Sequence, residues 1–169
     1  KGEEEVLKMC DIFKDFVEKK QLSNMFYKNA RKPDETDWQY LLYTIACCYR
    51  EASKGNYHIS REDNPGNGEI DRHFTRGNEV NICLEIKRSG NNQILHGYKE
   101  QLPGYMKAEN AQKGIFIIIE EEDNNKTQIK NVIELEQKII AEGKEAIKVI
   151  VVNGRRQVSA SNPLYRCPD

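Results

Sequence analysis

The sequence predicts an α/β domain in which a mixed central β-sheet is flanked by helices, in the order α-β-β-β-α-β-α-β. Three observations predict it. Two runs of strand character, 68–75 and 82–87, stand on either side of the turn signal Arg76-Gly77-Asn78-Glu79 and read as a hairpin. The run Ile115-Phe116-Ile117-Ile118-Ile119 is apolar at every position, which suits a strand covered on both faces. A helical pattern over 125–142 then leads to a second buried-type run at 146–152, the layout of a parallel crossover.

At 169 residues the chain is long enough for one packed core, so one main domain is expected. Residues 1–34 read as an N-terminal helical extension. Val6, Met9, Ile12, Phe13, Phe16 and Val17 recur at helical spacing, and Leu22, Met25 and Phe26 follow. The extension is expected to pack on the core or on a neighbouring domain. Residues 29–34, with Pro33, form a connector, and Asp34 or Thr36 is available to cap the next helix. That helix, 35–53, carries Trp38, Leu41, Leu42, Ile45, Ala46 and Tyr49 on one stripe and ends at Lys54-Gly55-Asn56, where the glycine suits a C-terminal stop.

A first strand is expected at 57–63, and Asn64-Pro65-Gly66-Asn67-Gly68 is a turn-forming cluster. After the hairpin, 94–110 is helical by the spacing of Ile94, Leu95, Tyr98, Leu102, Tyr105 and Met106. Pro103 lies inside it and predicts a kink or break near 97–99. The tail, 154–169, has no clear period.

Lys and Arg total 26 against 27 Asp and Glu, so bulk charge neither demands nor excludes a nucleic-acid partner, and any basic surface has to be local. The five cysteines, Cys10, Cys47, Cys48, Cys83 and Cys167, are odd in number and show no C-x-x-C spacing, which predicts a reducing setting. No apolar run approaches the roughly 20 residues of a membrane span and no signal peptide is visible, so a cytoplasmic protein without a membrane partner is expected. The first residue is Lys1 rather than methionine, and from this we expect further domains of the same polypeptide to carry targeting or regulation.

Chemistry concentrates in the hairpin. Side chains alternate along a strand, so Glu85 and Lys87 share one face of 82–87 while Leu84 and Ile86 take the other. With Ile70 and Phe74 turned to the core, Asp71 faces the opposite way, and pairing of the two strands brings Asp71, Glu85 and Lys87 together, because opposed residues lie about 5 Å apart. Two carboxylates beside an ammonium suit a metal-dependent phosphodiesterase site.

Three spaced motifs extend this. Gly68-Glu69-Ile70-Asp71 resembles the G-x-x-D, Glu85-Ile86-Lys87 the D/E-x-K, and Gln101-Leu102-Pro103-Gly104-Tyr105 the Q-x-x-x-Y of the PD-(D/E)XK, or restriction-endonuclease-like, nuclease superfamily, in its RecB-like branch. The resemblance covers about 35–153 of a nuclease domain at 35–169. It lacks a literal Pro-Asp pair at Asp71 and the cysteines of the iron–sulfur members, so no cluster is expected.

The resemblance implies a restriction-endonuclease-like core and hydrolysis of phosphodiester bonds in nucleic acid, DNA favoured over RNA. It implies Mg²⁺ or Mn²⁺ held by Asp71, Glu85 and the backbone carbonyl of Ile86, with Glu35 as a further carboxylate, and catalytic roles for Lys87 and Gln101. Substrate contacts are expected from Tyr105, Arg72, Arg88 and His73, and Arg76, Lys99 and Lys107 cluster in sequence around the same motifs. One site cuts one strand, so double-strand cleavage would require a homodimer. Two plainer readings compete. Asp71, Glu85 and Lys87 could form a salt bridge on a solvent-exposed sheet face, worth about 0–1 kcal/mol. The domain could also be a catalytically silent nuclease-like module that binds nucleic acid or serves assembly in a larger defence or repair protein.

Overall fold

The computed structural model describes residues 2–27, 31–64, 68–121 and 126–157, without the side chains of 61–64 and 68–70. Five strands form one sheet in the order β1 (His58–Asn64), β2 (Gly68–Arg76), β3 (Val80–Arg88), β4 (Lys113–Glu120) and β5 (Lys148–Asn153). The first three pair antiparallel and the last three parallel, so the sheet is mixed. The β2–β3 reversal uses Gly77 at φ 51, a left-handed conformation that glycine adopts without a Cβ penalty. Most of the expected turn at 64–68, the C-terminal tail from 158 onward and Cys167 lie outside the described residues.

Two cores sandwich the sheet. One gathers Phe74, Ile82, Leu84, Ile86, Ile115, Ile117 and Ile119 against helices α1 (Gly2–Glu18) and α2 (Glu35–Ser53). Val6, Met9, Cys10, Phe13 and Val17 of α1 are fully buried in it. A side chain of this size gains about 1.5–3 kcal/mol by burial, so α1 is part of the same packed unit as the sheet. A 3₁₀ turn, Leu22–Met25, follows α1.

Helix α2 starts as its sequence implies. Asp34 is the N-cap and accepts the N–H of Asp37, whose side chain accepts the N–H of Asp34 in return. At the other end the left-handed residue is Lys54 (φ 52), not the expected Gly55, and the N–H of Gly55 closes on Arg50 O.

The second core gathers Cys83, Phe116, Ile118 and Val149 against the 94–108 segment and α5 (Lys126–Ala141). The segment is a short turn α3 (Ile94–His96), a π-helical stretch Gly97–Gln101 and helix α4 (Leu102–Ala108). Pro103 is the cause. It has no N–H for Lys99 O and its ring crowds that carbonyl, so the N–H of Leu102 reaches back to Gly97 O instead. The break falls where the sequence placed it. Among the described residues, no helix is long and apolar enough to cross a membrane.

Candidate active site

The β2–β3 ladder runs from Arg76↔Val80 to Arg72↔Leu84 and there it stops. The next inward-facing N–H of β3 belongs to Ile86, and it donates to the side chain of Asp71, Oδ2, at 2.5 Å. The carboxylate of Asp71 thus lies in the gap that opens between the strands. A paired strand residue presents its N–H and C=O to the same neighbour, so the Ile86 carbonyl is directed toward this gap as well.

Glu85 and Lys87 follow the expected alternation. Lys87 Nζ lies 2.6 Å from Glu85 Oε1 and 3.0 Å from Glu35 Oε1 at the start of α2. Asn91 donates to the other oxygen of Glu35 at 3.3 Å. The second oxygen of Glu85, Oε2, is buried and accepts no hydrogen bond.

One expectation is overturned. The face carrying these residues is not exposed: Asp71, Glu85 and Lys87 are 6%, 2% and 8% exposed. The reason is that the sheet is covered on both sides, so the charged face of β3 continues into the core built on Cys83. A weak surface salt bridge is therefore excluded as the description of this trio.

Burial shapes the electrostatics. Desolvation, reinforced by the charge of Glu85, holds the Asp71 carboxyl well above its usual range against the Ile86 N–H, which opposes it. Desolvation also raises Glu85, partly offset by Lys87. Burial works to lower the Lys87 pKa, but Glu85, by charge and hydrogen bond, with Glu35 and Asp71 behind it, outweighs this and lifts it above the lysine norm. Lys87 is an ammonium held among three carboxylates.

Other predicted residues take distinct places. Gln101 ends the π-helical stretch, and its Oε1, which lies over Gly97 as the Phe116 ring does, is buried without a hydrogen bond. Tyr105 packs in the second core. Arg72 is buried, its guanidinium donating to Gln39 O (3.0 Å) and to Asp71 O and lying 4.6 Å from the ring centroid of Tyr43. Arg88 donates to both oxygens of Glu121, at 3.0 and 2.9 Å. His73 is buried with Nε2 2.7 Å from Asn81 Oδ1.

Arg76 sits at the β2–β3 turn with Glu79 and Glu5. Five residues along the strand from Asp71, at about 3.3 Å each, it is about 16 Å away and does not belong to this cluster. Lys99 and Lys107 are exposed on the 97–108 segment.

Sequence reasoning missed Gln39, whose Nε2 donates to Asp71 Oδ1 at 2.5 Å. It stands four residues after Glu35, on the same helix face, which was the one signal that pointed to it. The pair Trp38–Glu121 was missed too: the indole N–H donates to Glu121 at 2.9 Å, tying α2 to the residue just after β4.

Oxygen donors, net negative charge and an orphaned buried carboxylate oxygen fit a hard cation. Asp71 and Glu85 form the pair, while Glu35 is engaged by Lys87; accordingly, among the described residues no group of three or more His, Cys, Asp or Glu is already arranged to hold a metal.

A family model described as "Domain of unknown function (DUF8371)" matches residues 3–123, and the chain belongs to that family. No curated protein and no solved structure matches it.

Proposed function

We propose that this DUF8371 chain is a divalent-metal-dependent nuclease with a restriction-endonuclease-like core, hydrolysing phosphodiester bonds in nucleic acid, DNA favoured. The observation that carries the reading is the convergence of Asp71 and Glu85 in a buried gap, with Lys87 beside them and Glu85 Oε2 without a partner. Each buried ion costs several kcal/mol unless compensated. Asp71, Glu85 and Glu35 share one ammonium, so the cluster is short of positive charge.

Asp71, Glu85 and the Ile86 carbonyl would hold Mg²⁺ or Mn²⁺, with Glu35 behind them. Bound there, the cation would supply Lewis-acid polarisation of the scissile phosphate. Lys87, kept protonated by its neighbours, donates hydrogen bonds; its task is to orient the attacking water and offset charge on the phosphate oxygens, not to abstract a proton. Gln101 Oε1 is free to accept from that water. Arg72, Arg88 and His73 are engaged by protein groups, so contact with the nucleic-acid backbone falls to the exposed Lys99 and Lys107.

A second reading, a silent nuclease-like binding or assembly module, draws on the ion pairs that Lys87 makes with both Glu85 and Glu35, which already tie the cluster together. Cleavage assays with Mg²⁺ and Mn²⁺ on single- and double-stranded DNA and RNA separate the two. Cleavage lost in Glu85→Ala supports the nuclease. Inertness on all four substrates, in this chain and in any longer parent polypeptide, leaves the silent module standing.

A further inference from the structure

We infer that helix α2 is the positioning element of this site and that Gln39 sets the orientation of the Asp71 carboxylate toward its metal; this rests on the nuclease reading. Glu35, Gln39 and Tyr43 follow each other at four-residue steps and so form one row on α2. Each meets a different residue of the hairpin. Glu35 Oε1 takes Lys87 Nζ at 3.0 Å, Gln39 Nε2 donates to Asp71 Oδ1 at 2.5 Å, and the Tyr43 ring lies 4.6 Å from the Arg72 guanidinium carbon. Arg72 also donates to the backbone carbonyls of Gln39 and Asp71, which indexes the helix against β2 at the position of the carboxylate.

The helix is a firm support for this row. Trp38, Leu42, Ile45 and Ala46 anchor it in the core, and the reciprocal Asp34–Asp37 cap fixes its start. The two oxygens of Asp71 have separate holders, the Ile86 N–H on Oδ2 and the Gln39 amide on Oδ1. With both in place the carboxylate cannot turn about its last torsion. A carboxylate has about four lone-pair sites, so these two bonds leave capacity on each oxygen for a cation. Of the two holders only Gln39 is a side chain, and hence only Gln39 is open to substitution.

Mn²⁺ is titrated calorimetrically into the wild-type chain, Gln39→Met, which removes the amide at constant length, and Gln39→Asn, which withdraws it by one carbon. Thermal melts of the metal-free proteins run in parallel. Outer partners of metal ligands typically contribute about 10–100-fold in affinity, and a Kd weakened by that factor in Gln39→Met, with a smaller loss in Gln39→Asn, is the expected result. Should Gln39→Met fail to fold, a weakened Kd in folded Gln39→Asn still supports the assignment. Variants that melt lower but bind Mn²⁺ as tightly as wild type would make Gln39 a structural residue and overturn it. A wild type that binds no Mn²⁺ would overturn the metal reading itself, and the assignment with it.

Discussion

The carboxylate of Asp71 takes the backbone N–H of Ile86 at 2.5 Å, one step beyond the last backbone pair of the β2–β3 ladder, Arg72↔Leu84. A side chain replaces a strand bond there. The exchange opens the sheet at its centre without leaving that N–H unpaired, and it puts a buried carboxylate beside Glu85, on the neighbouring strand.

The proposed nuclease reading gives Glu85 and Lys87 separable roles. Under that reading Glu85→Ala would remove a metal ligand and is expected to lower both cleavage and Mn²⁺ affinity. Lys87→Ala removes the positive charge at 2.6 Å from Glu85 and 3.0 Å from Glu35, so Mn²⁺ binding should hold or tighten while the rate falls by about 10²–10⁴. Because the pair is buried, breaking it is also expected to cost metal-free stability by about 3–5 kcal/mol, recovered in part by Mn²⁺. Calorimetry with thermal melts checks this; loss of metal binding in Lys87→Ala as complete as in Glu85→Ala would refute it.

The pH dependence of metal-free stability follows from Asp71. Its folded pKa is raised by burial and by Glu85, so the protonated form is favoured on folding. The stability it contributes is complete below the unfolded pKa, about 3.9, and is lost as pH rises through the raised folded value. Urea unfolding in chelator from pH 4.5 to 8 should show wild type losing stability relative to Asp71→Asn as pH climbs. A difference between the two that stays flat over this range would remove Asp71 as the source.

Gly154 leaves no room for a side chain. A Cβ there would lie 2.4 Å from Ile119 Cγ2 and 2.9 Å from the Trp38 ring. Gly154→Ala is expected to destabilise by about 1–3 kcal/mol, the range for overpacking a filled core. Chemical denaturation gives the number, and a variant as stable as wild type would show that Trp38 moves without cost.

The thiols differ in reactivity. Burial, with the charge of Asp11, pushes Cys10 up to about 12, while Cys48 is exposed. Iodoacetamide at pH 8 should modify Cys48 in the native protein and reach Cys10 only on unfolding, as read by mass spectrometry of peptides. Equal labelling of both in the folded state would contradict the packing of α1.

Much of this was legible in local pattern. The 3.6-residue period placed α1, α2 and α5, the proline in the 94–110 pattern placed the helical break, and alternation in β3 put Glu85 and Lys87 on one face and Leu84 and Ile86 on the other. The sequence offered Asp34 and Thr36 as caps, and Asp34 is the one used. Gly55 was the less successful signal: Lys54 adopts the left-handed conformation before the glycine is reached.

By itself, then, the sequence determined the α/β class, the order of the elements and the shared face of Asp71, Glu85 and Lys87, because each depends on residues near in the chain or on one hairpin. Only the tertiary structure decided what covers that face. Alternation says which way a side chain points and nothing about whether helix or water waits there. The burial of the trio depends on the cover of both faces of the sheet, and the approach of Gln39 and Glu35 to it and the engagement of Arg72 by α2 depend on how α2 docks. Docking is set by the packing of residues distant in sequence, such as Trp38 against Gly154 and Glu121, and no local period carries it.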